Sequence, residues 1–194
     1  MAGNVLISVQ PAEEVALNPP GGVSAGAWLE AMFREHYPRI VSMLGRLIGD
    51  RGQAEEIASD VFCKLSRQQP LFGGPADRTA WIYRVATNAG LDAVRANSRR
   101  RRREQEAGAE ALRTAESSGA LDDLLRAERC VHVREVLAGM KPREAQLVLL
   151  RAHGLAYREV AQTLGIQPGS VGTLLARAEL EFERRFRKRY GDPV

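Results

Sequence analysis

The chain is poor in the residues that build catalytic and metal centres. Its 194 residues include two cysteines and three histidines, and His36, His132 and His153 fit no metal-ligand spacing. It has no phosphate-cradling glycine loop and no nucleophile elbow. An enzyme reading is therefore left without a constellation to carry it, and neither metal nor cofactor is implied. No apolar run approaches the roughly 18 residues of a membrane span. The first residues lack the basic start and apolar run of a secretory signal, so a cytoplasmic protein is expected. Cys63 and Cys130 lie far apart in apolar-periodic segments and are expected as buried, reduced thiols. Strand-like alternation of useful length is missing too, which points to an all-α chain.

What is present is apolar helical periodicity and clustered positive charge. Hydrophobic residues make up 44% and charged residues 27%, enough apolar surface for packed cores. The length suits one ordinary domain or two small ones. Net charge is only +4, yet the isoelectric point is about 9.4. The distribution says more than the sum. Arg99, Arg100, Arg101, Arg102 and Arg103 form an unbroken run, Arg184, Arg185, Arg187, Lys188 and Arg189 form a second cluster, and an acidic stretch lies between them. Clustered cations displace counterions from phosphate backbones. One such cluster equally suits the negative end of a helix dipole; two favour DNA.

Residues 1–24 contain three prolines and no sustained period, and are expected to be a flexible tail. From residue 25 the apolar positions Trp28, Leu29, Met32, Phe33, Ile40, Val41, Leu44, Leu47 and Ile48 follow a helical spacing, with Pro38 starting a new turn or kinking the element and Gly49 ending it. A second helix over 52–68 carries Ile57, Val61, Phe62 and Leu65 as its apolar stripe and Glu55, Glu56 and Asp60 elsewhere. Residues 70–76 read as a loop, after which Asp77 caps a long helix starting at Arg78. Trp81, Ile82, Val85, Ala86, Ala89 and Ala93 mark its buried face, and Gly90 weakens it by about 1 kcal/mol relative to alanine. Residues 104–120, rich in Ala, Glu, Ser and Gly, have the composition of a linker. Beyond them Val131, Val133, Val136, Leu137 and Met140 continue the helical pattern, and Pro142 opens the next helix. The expectation is thus two small helical domains, 25–103 and 121–194, joined by a flexible linker.

The sharpest local signal is segment 157–178, YREVAQTLGIQPGSVGTLLARA. Val160, Ala161 and Leu164 face inward on a first helix, and Gly165 permits a left-handed turn. Ile166 plugs the corner, Pro168 suits a first helical turn, and Val171, Leu175 and Ala178 recur as the buried face of a second helix. This is the pattern of a helix-turn-helix whose second helix is free to enter a DNA groove.

The run 154–177 resembles region four of extracytoplasmic-function (ECF) sigma factors. Segment 54–65, AEEIASDVFCKL, is similar to the helix by which those factors grip the polymerase clamp, and segment 80–95, AWIYRVATNAGLDAVR, to their promoter-melting helix. The resemblance implies core RNA polymerase as a partner of Glu55, Glu56, Asp60, Phe62 and Lys64. It implies that Leu71, Phe72, Arg84, Asn88, Arg95, Arg99 and Arg100 hold minus-10 DNA, and that Arg158, Gln167, Ser170, Thr173 and Arg177 hold the minus-35 duplex. Promoter DNA and an anti-sigma factor are the other partners it implies. Physical chemistry agrees in part: an acidic helix face suits a basic protein surface and repels phosphate, while aromatic and amide groups accept unstacked bases. Departures from the family pattern are Gly172 and Leu174 in place of a lysine and an arginine, Gln167 in place of a capping serine, and Ser59 and Ser66 in place of glutamine and tryptophan. Competing readings are a helix-turn-helix repressor or activator that binds duplex operators unaided, a recombinase, and a helical adaptor binding only proteins.

Overall fold

The computed structural model describes residues 25–67, 72, 74–106 and 121–191. The expected tail, most of the expected linker and Leu71 lie outside the described residues. Within them the chain forms α1 (Ala25–Ile48), α2 (Arg51–Arg67), α3 (Pro75–Glu106), α4 (Leu121–Gly139), α5 (Pro142–Ala152), α6 (Tyr157–Leu164), a 3-10 turn (Pro168–Ser170) and α7 (Val171–Tyr190). No strand occurs among the described residues, as the periodicity implied.

The first three helices pack as one bundle. α1 runs unbroken through Pro38 instead of starting afresh there. Pro38 is exposed, so water can take the carbonyl left without a donor and the helix continues. Its buried row is Met32, His36, Ile40, Met43, Leu44 and Leu47. Phe33, expected in the core, is 45% exposed. α1 ends at Gly49 in the left-handed region (φ 81°), and Asp50 caps α2 by accepting the Gln53 N–H at 3.0 Å. α2 buries Ala54, Ala58, Val61, Phe62 and Leu65.

α3 begins three residues earlier than the sequence suggested. Pro75 occupies its first position, where a missing N–H is harmless, and the Arg78 N–H already bonds Gly74 O at 3.3 Å. Asp77 is therefore a first-turn residue rather than the cap. At its other end α3 reaches Glu106, so residues 104–106 are helix rather than linker. Gly90 leaves room for α1 against α3: a Cβ there would meet Leu44 Cδ2 at 2.6 Å and Leu47 Cδ2 at 2.9 Å.

The later helices pack against this bundle, and the buried apolar residues of both halves form one continuous cluster. Val136, Leu137 and Met140 of the α4 end enter it, whereas Val133 stays exposed. α5 opens with Pro142, as expected, and buries Ala145, Gln146, Leu147, Leu149 and Leu150. Cys63 and Cys130 are unpaired but exposed, which overturns the expectation of burial. Cys63 sits one position past buried Phe62 and so points off the core face.

Candidate nucleic-acid interface

The helix-turn-helix is assembled from local signals. At its entry the extended Ala156 gives its N–H to the Glu159 carboxylate at 2.6 Å, fixing the start of α6. Gly165 closes α6 in the left-handed conformation (φ 61°, ψ 46°). The Ile166 N–H then reaches back to Ala161 O at 2.9 Å, the Schellman pattern that satisfies a last-turn carbonyl. Val160, Ala161, Val171, Leu175 and Ala178 are all buried, so α6 and α7 hold a fixed angle. Thr163 is buried too, which the apolar pattern missed. On the opposite side Gln167, Ser170, Thr173 and Arg177 are all exposed. Thr173 and Arg177 lie four apart on one face of α7, while Ser170 ends the 3-10 turn that leads into it and Gln167 is the extended residue before that turn. Arg158, on α6, is also exposed.

The basic end of α7 is largely matched by acid. Arg184 and Arg185 hold Glu181, Arg187 holds Glu183, and Arg189 holds Glu135 of α4. Hydrogen bonds from Arg184 and Arg185 keep the Glu181 carboxyl protonating only at about 2. Glu135 also accepts the Tyr190 hydroxyl; burial first, then that bond, pushes the tyrosine up to about 12. This cluster ties α7 to α4 more than it offers free charge. The i, i+3 and i, i+4 pairs within α7 are legible in the sequence, whereas the contacts of Glu135 with Arg189 and Tyr190, from another helix, are not.

The α3 arginines differ. Arg100 sits 3.7 Å from Glu104, but no carboxylate among the described residues pairs with Arg99, Arg101 or Arg102. Upstream, Asp77, Arg84, Asn88 and Arg95 follow at intervals of seven, four and seven and share one face of α3. Arg84 and Asn88 are exposed. Arg95 is mostly covered, bonding Asp92 at 3.1 Å and the Ala138 carbonyl of α4 at 3.4 Å. Phe72 is half-buried and meets Trp81 edge-on, with ring centroids 5.7 Å apart. Next to Asn88, Thr87 is fully buried; its hydroxyl donates to Tyr83 O at 2.8 Å.

On α2, Glu56, Asp60 and Lys64 form an exposed row at four-residue spacing, and Glu55 beside it pairs with Arg51 at 2.9 Å. Phe62, grouped with them by the family resemblance and placed on the apolar stripe by the periodicity, faces inward at 5% exposure, as the periodicity implied. It packs against Phe33 and Tyr37 of α1, at centroid distances of 5.1 and 6.0 Å. Its place is to position α2 on α1, not to present a surface.

Comparison with known proteins follows the same division. Residues 32–100 match the model of Sigma-70 region 2, and residues 131–181 match that of Sigma-70, region 4, together more than half of the chain. The ECF RNA polymerase sigma factor SigE of Mycolicibacterium smegmatis is 27% identical over 173 residues, spanning 88% of this chain and 66% of that protein. The probable ECF RNA polymerase sigma factor SigI of Mycobacterium tuberculosis is 29% identical over 158 residues, 77% of this chain and 52% of that one. This chain thus spans under two thirds of the length of both. RNA polymerase sigma factor YlaC of Bacillus subtilis is 26% identical over 161 residues, 82% of this chain and 92% of its own. A solved structure, the sigma factor RpoE of Bartonella quintana with the anti-sigma factor NepR, aligns with 82% of this chain and 97% of its own at 18% identity and a TM-score of 0.48. Regions 2 and 4 in this order, in one chain, define a sigma-70 protein. The chain belongs to the ECF sigma factor family.

Proposed function

We propose that this chain is a promoter-specificity subunit with no reaction of its own, which binds core RNA polymerase in the cytoplasm and directs where transcription starts. Residues 25–103 act as the domain that docks on polymerase through Glu55, Glu56, Asp60 and Lys64, with Phe62 bracing that surface from beneath. The same domain captures the melted minus-10 strand on Arg84, Asn88, Arg95, Arg99 and Arg100, with Phe72 beside Trp81 as a stacking edge. Residues 121–194 form the second domain, whose Gln167, Ser170, Thr173 and Arg177 enter the minus-35 major groove while Arg158 meets phosphate. An anti-sigma factor that grips both domains is part of this reading.

One observation carries it: Gln167, Ser170, Thr173 and Arg177 are exposed along the turn and first turns of α7, while Val171, Leu175 and Ala178 of the same helix are buried, so the start of α7 is both anchored and free. The test is reconstitution with core polymerase on a promoter library, comparing the parent chain with Asn88→Ala and Arg177→Ala. The parent should direct run-off transcripts from a defined promoter class and each variant should direct fewer. Equal transcription from all three removes the site assignments; failure of the purified chain to associate with core polymerase removes the function.

A further inference from the structure

Between α3, α4 and α7 lies a cavity of about 300 Å³. Its walls include Arg95, Ser98, Arg99 and Arg102 of α3, Glu135 of α4 and Arg189 of α7. Arg95, Arg99 and Arg102 follow at intervals of four and three, so one face of α3 turns three guanidiniums toward this space. Glu135 is the one carboxylate in the wall.

The carbonyl and carboxylate acceptors at hand are engaged. Arg95 gives Nε to the Ala138 carbonyl and Nη1 to Asp92. Gly139 O takes a hydrogen bond from Arg185, and Glu135 is shared by Arg189 and the Tyr190 hydroxyl. Donors are left over. Arg95 Nη2 is buried without a hydrogen-bond partner, and no carboxylate among the described residues pairs with Arg99 or Arg102. Arg189 keeps further N–H groups after meeting Glu135. A buried donor is costly until it is bonded, and cations gathered in a partly dry space repel one another. One bound anion relieves both.

Guanidinium is the side chain shaped for phosphate: planar, bidentate and charged at any physiological pH. The stretch from Arg95 to Arg102 rises about 10 Å along α3, so a chain of linked phosphates meets more of these groups than a single phosphate does. The geometry points to a site for a small oligophosphate, three or more linked phosphates, free or as the tail of a nucleotide, held between α3 and α7. It stands apart from the promoter reading: Arg189, which has no part in that reading, closes the site, and a soluble anion rather than a nucleic-acid strand fills it.

Titration calorimetry of the full chain with inorganic tripolyphosphate, at constant ionic strength, tests this. The parent should bind one molecule saturably, and orthophosphate about tenfold or more weakly, since it meets fewer of the guanidiniums. Arg99→Gln with Arg102→Gln, and Arg189→Gln separately, should each weaken tripolyphosphate by about tenfold or more. Arg34→Gln removes one positive charge on α1, outside the cavity, and should leave the affinity within about twofold. Arg99 and Arg102 have no carboxylate partner to lose among the described residues, so the double variant folds as the parent does and carries the test even if Arg189→Gln loosens α7. Adenosine triphosphate in place of tripolyphosphate separates the sources: tighter binding assigns a nucleotide, equal or weaker binding a free chain. Absent or unsaturable binding of tripolyphosphate, an equal loss in Arg34→Gln, or undiminished binding by the double variant or by a folded Arg189→Gln would overturn the site. So would a single-stranded oligonucleotide that binds where tripolyphosphate does not, which leaves these arginines to nucleic acid alone.

Discussion

Neutralising the unpaired arginines of α3 should change how DNA binding responds to salt, and by a predictable amount. Each cation that meets a phosphate releases condensed counterions and adds about 0.9 to the slope of log affinity against log salt on duplex DNA. Arg99, Arg101 and Arg102 have no carboxylate partner among the described residues, whereas Arg100 is already near Glu104 at 3.7 Å. The triple alanine variant should therefore lose about 2.7 from the slope if all three meet phosphate. Each doubling of salt would then cost the parent about sixfold more affinity than the variant. Arg100→Ala alone should lower the slope by less than one of these, because its charge is partly matched beforehand. The assay is fluorescence anisotropy of a mixed-sequence duplex with the full chain across a salt series. Melting curves should change little, since Arg99 and Arg102 are exposed and Arg101, though half-buried, has no carboxylate partner to lose among the described residues. A triple variant that keeps the parental slope refutes the reasoning, as does an Arg100→Ala slope change equal to that of the triple variant.

Three further outcomes follow from the packing. A Cβ at Gly165 meets nothing within 4 Å, so Gly165→Ala isolates the cost of the left-handed backbone; about 1 kcal/mol of destabilisation is expected in denaturant titration, and less for Gly165→Asn. Leu44→Ala, at a fully buried position, should cost about 3 kcal/mol and lower the melting temperature by about 6–12 °C for a chain of this size; a shift under about 2 °C would mean that the site collapses around the loss. Burial lowers the pKa of both His36 and His153 below 6.5, with Arg46 adding to the effect at His153. The unfolded chain then takes up protons below about 6.5 while the folded one does not, so stability is greatest above that pH and declines as pH falls toward the lowered folded values. A melting series flat between about pH 8 and about pH 5.5 would contradict this, and His36→Gln should flatten it in part.

The helix-turn-helix was legible because every part of it is local. Gly165 needs only its own φ, Pro168 its own ring, and Val171, Leu175 and Ala178 are spaced by the helix itself. Most helices were legible within a few residues for the same reason. Pro75 was misread because proline marks a break and a first helical position alike; only the Arg78 N–H reaching Gly74 separates the two. The buried polar residues His36, Thr87, Gln146 and Thr163 were invisible to apolar periodicity. Gln146 is the clearest instance: its partners Thr87 and Asn88 are 59 and 58 residues away, and no spacing within a single helix encodes such a meeting. The two cysteines show the converse, since a one-residue rotation about a helix decides between surface and core.

The hydroxyl of Thr87 joins two helices at one atom. It donates to the Tyr83 carbonyl within its own helix while it accepts the Gln146 amide of α5. Its proton and a lone pair are thus both in use, and a valine there, of the same shape, would leave the Gln146 amide with Asn88 alone.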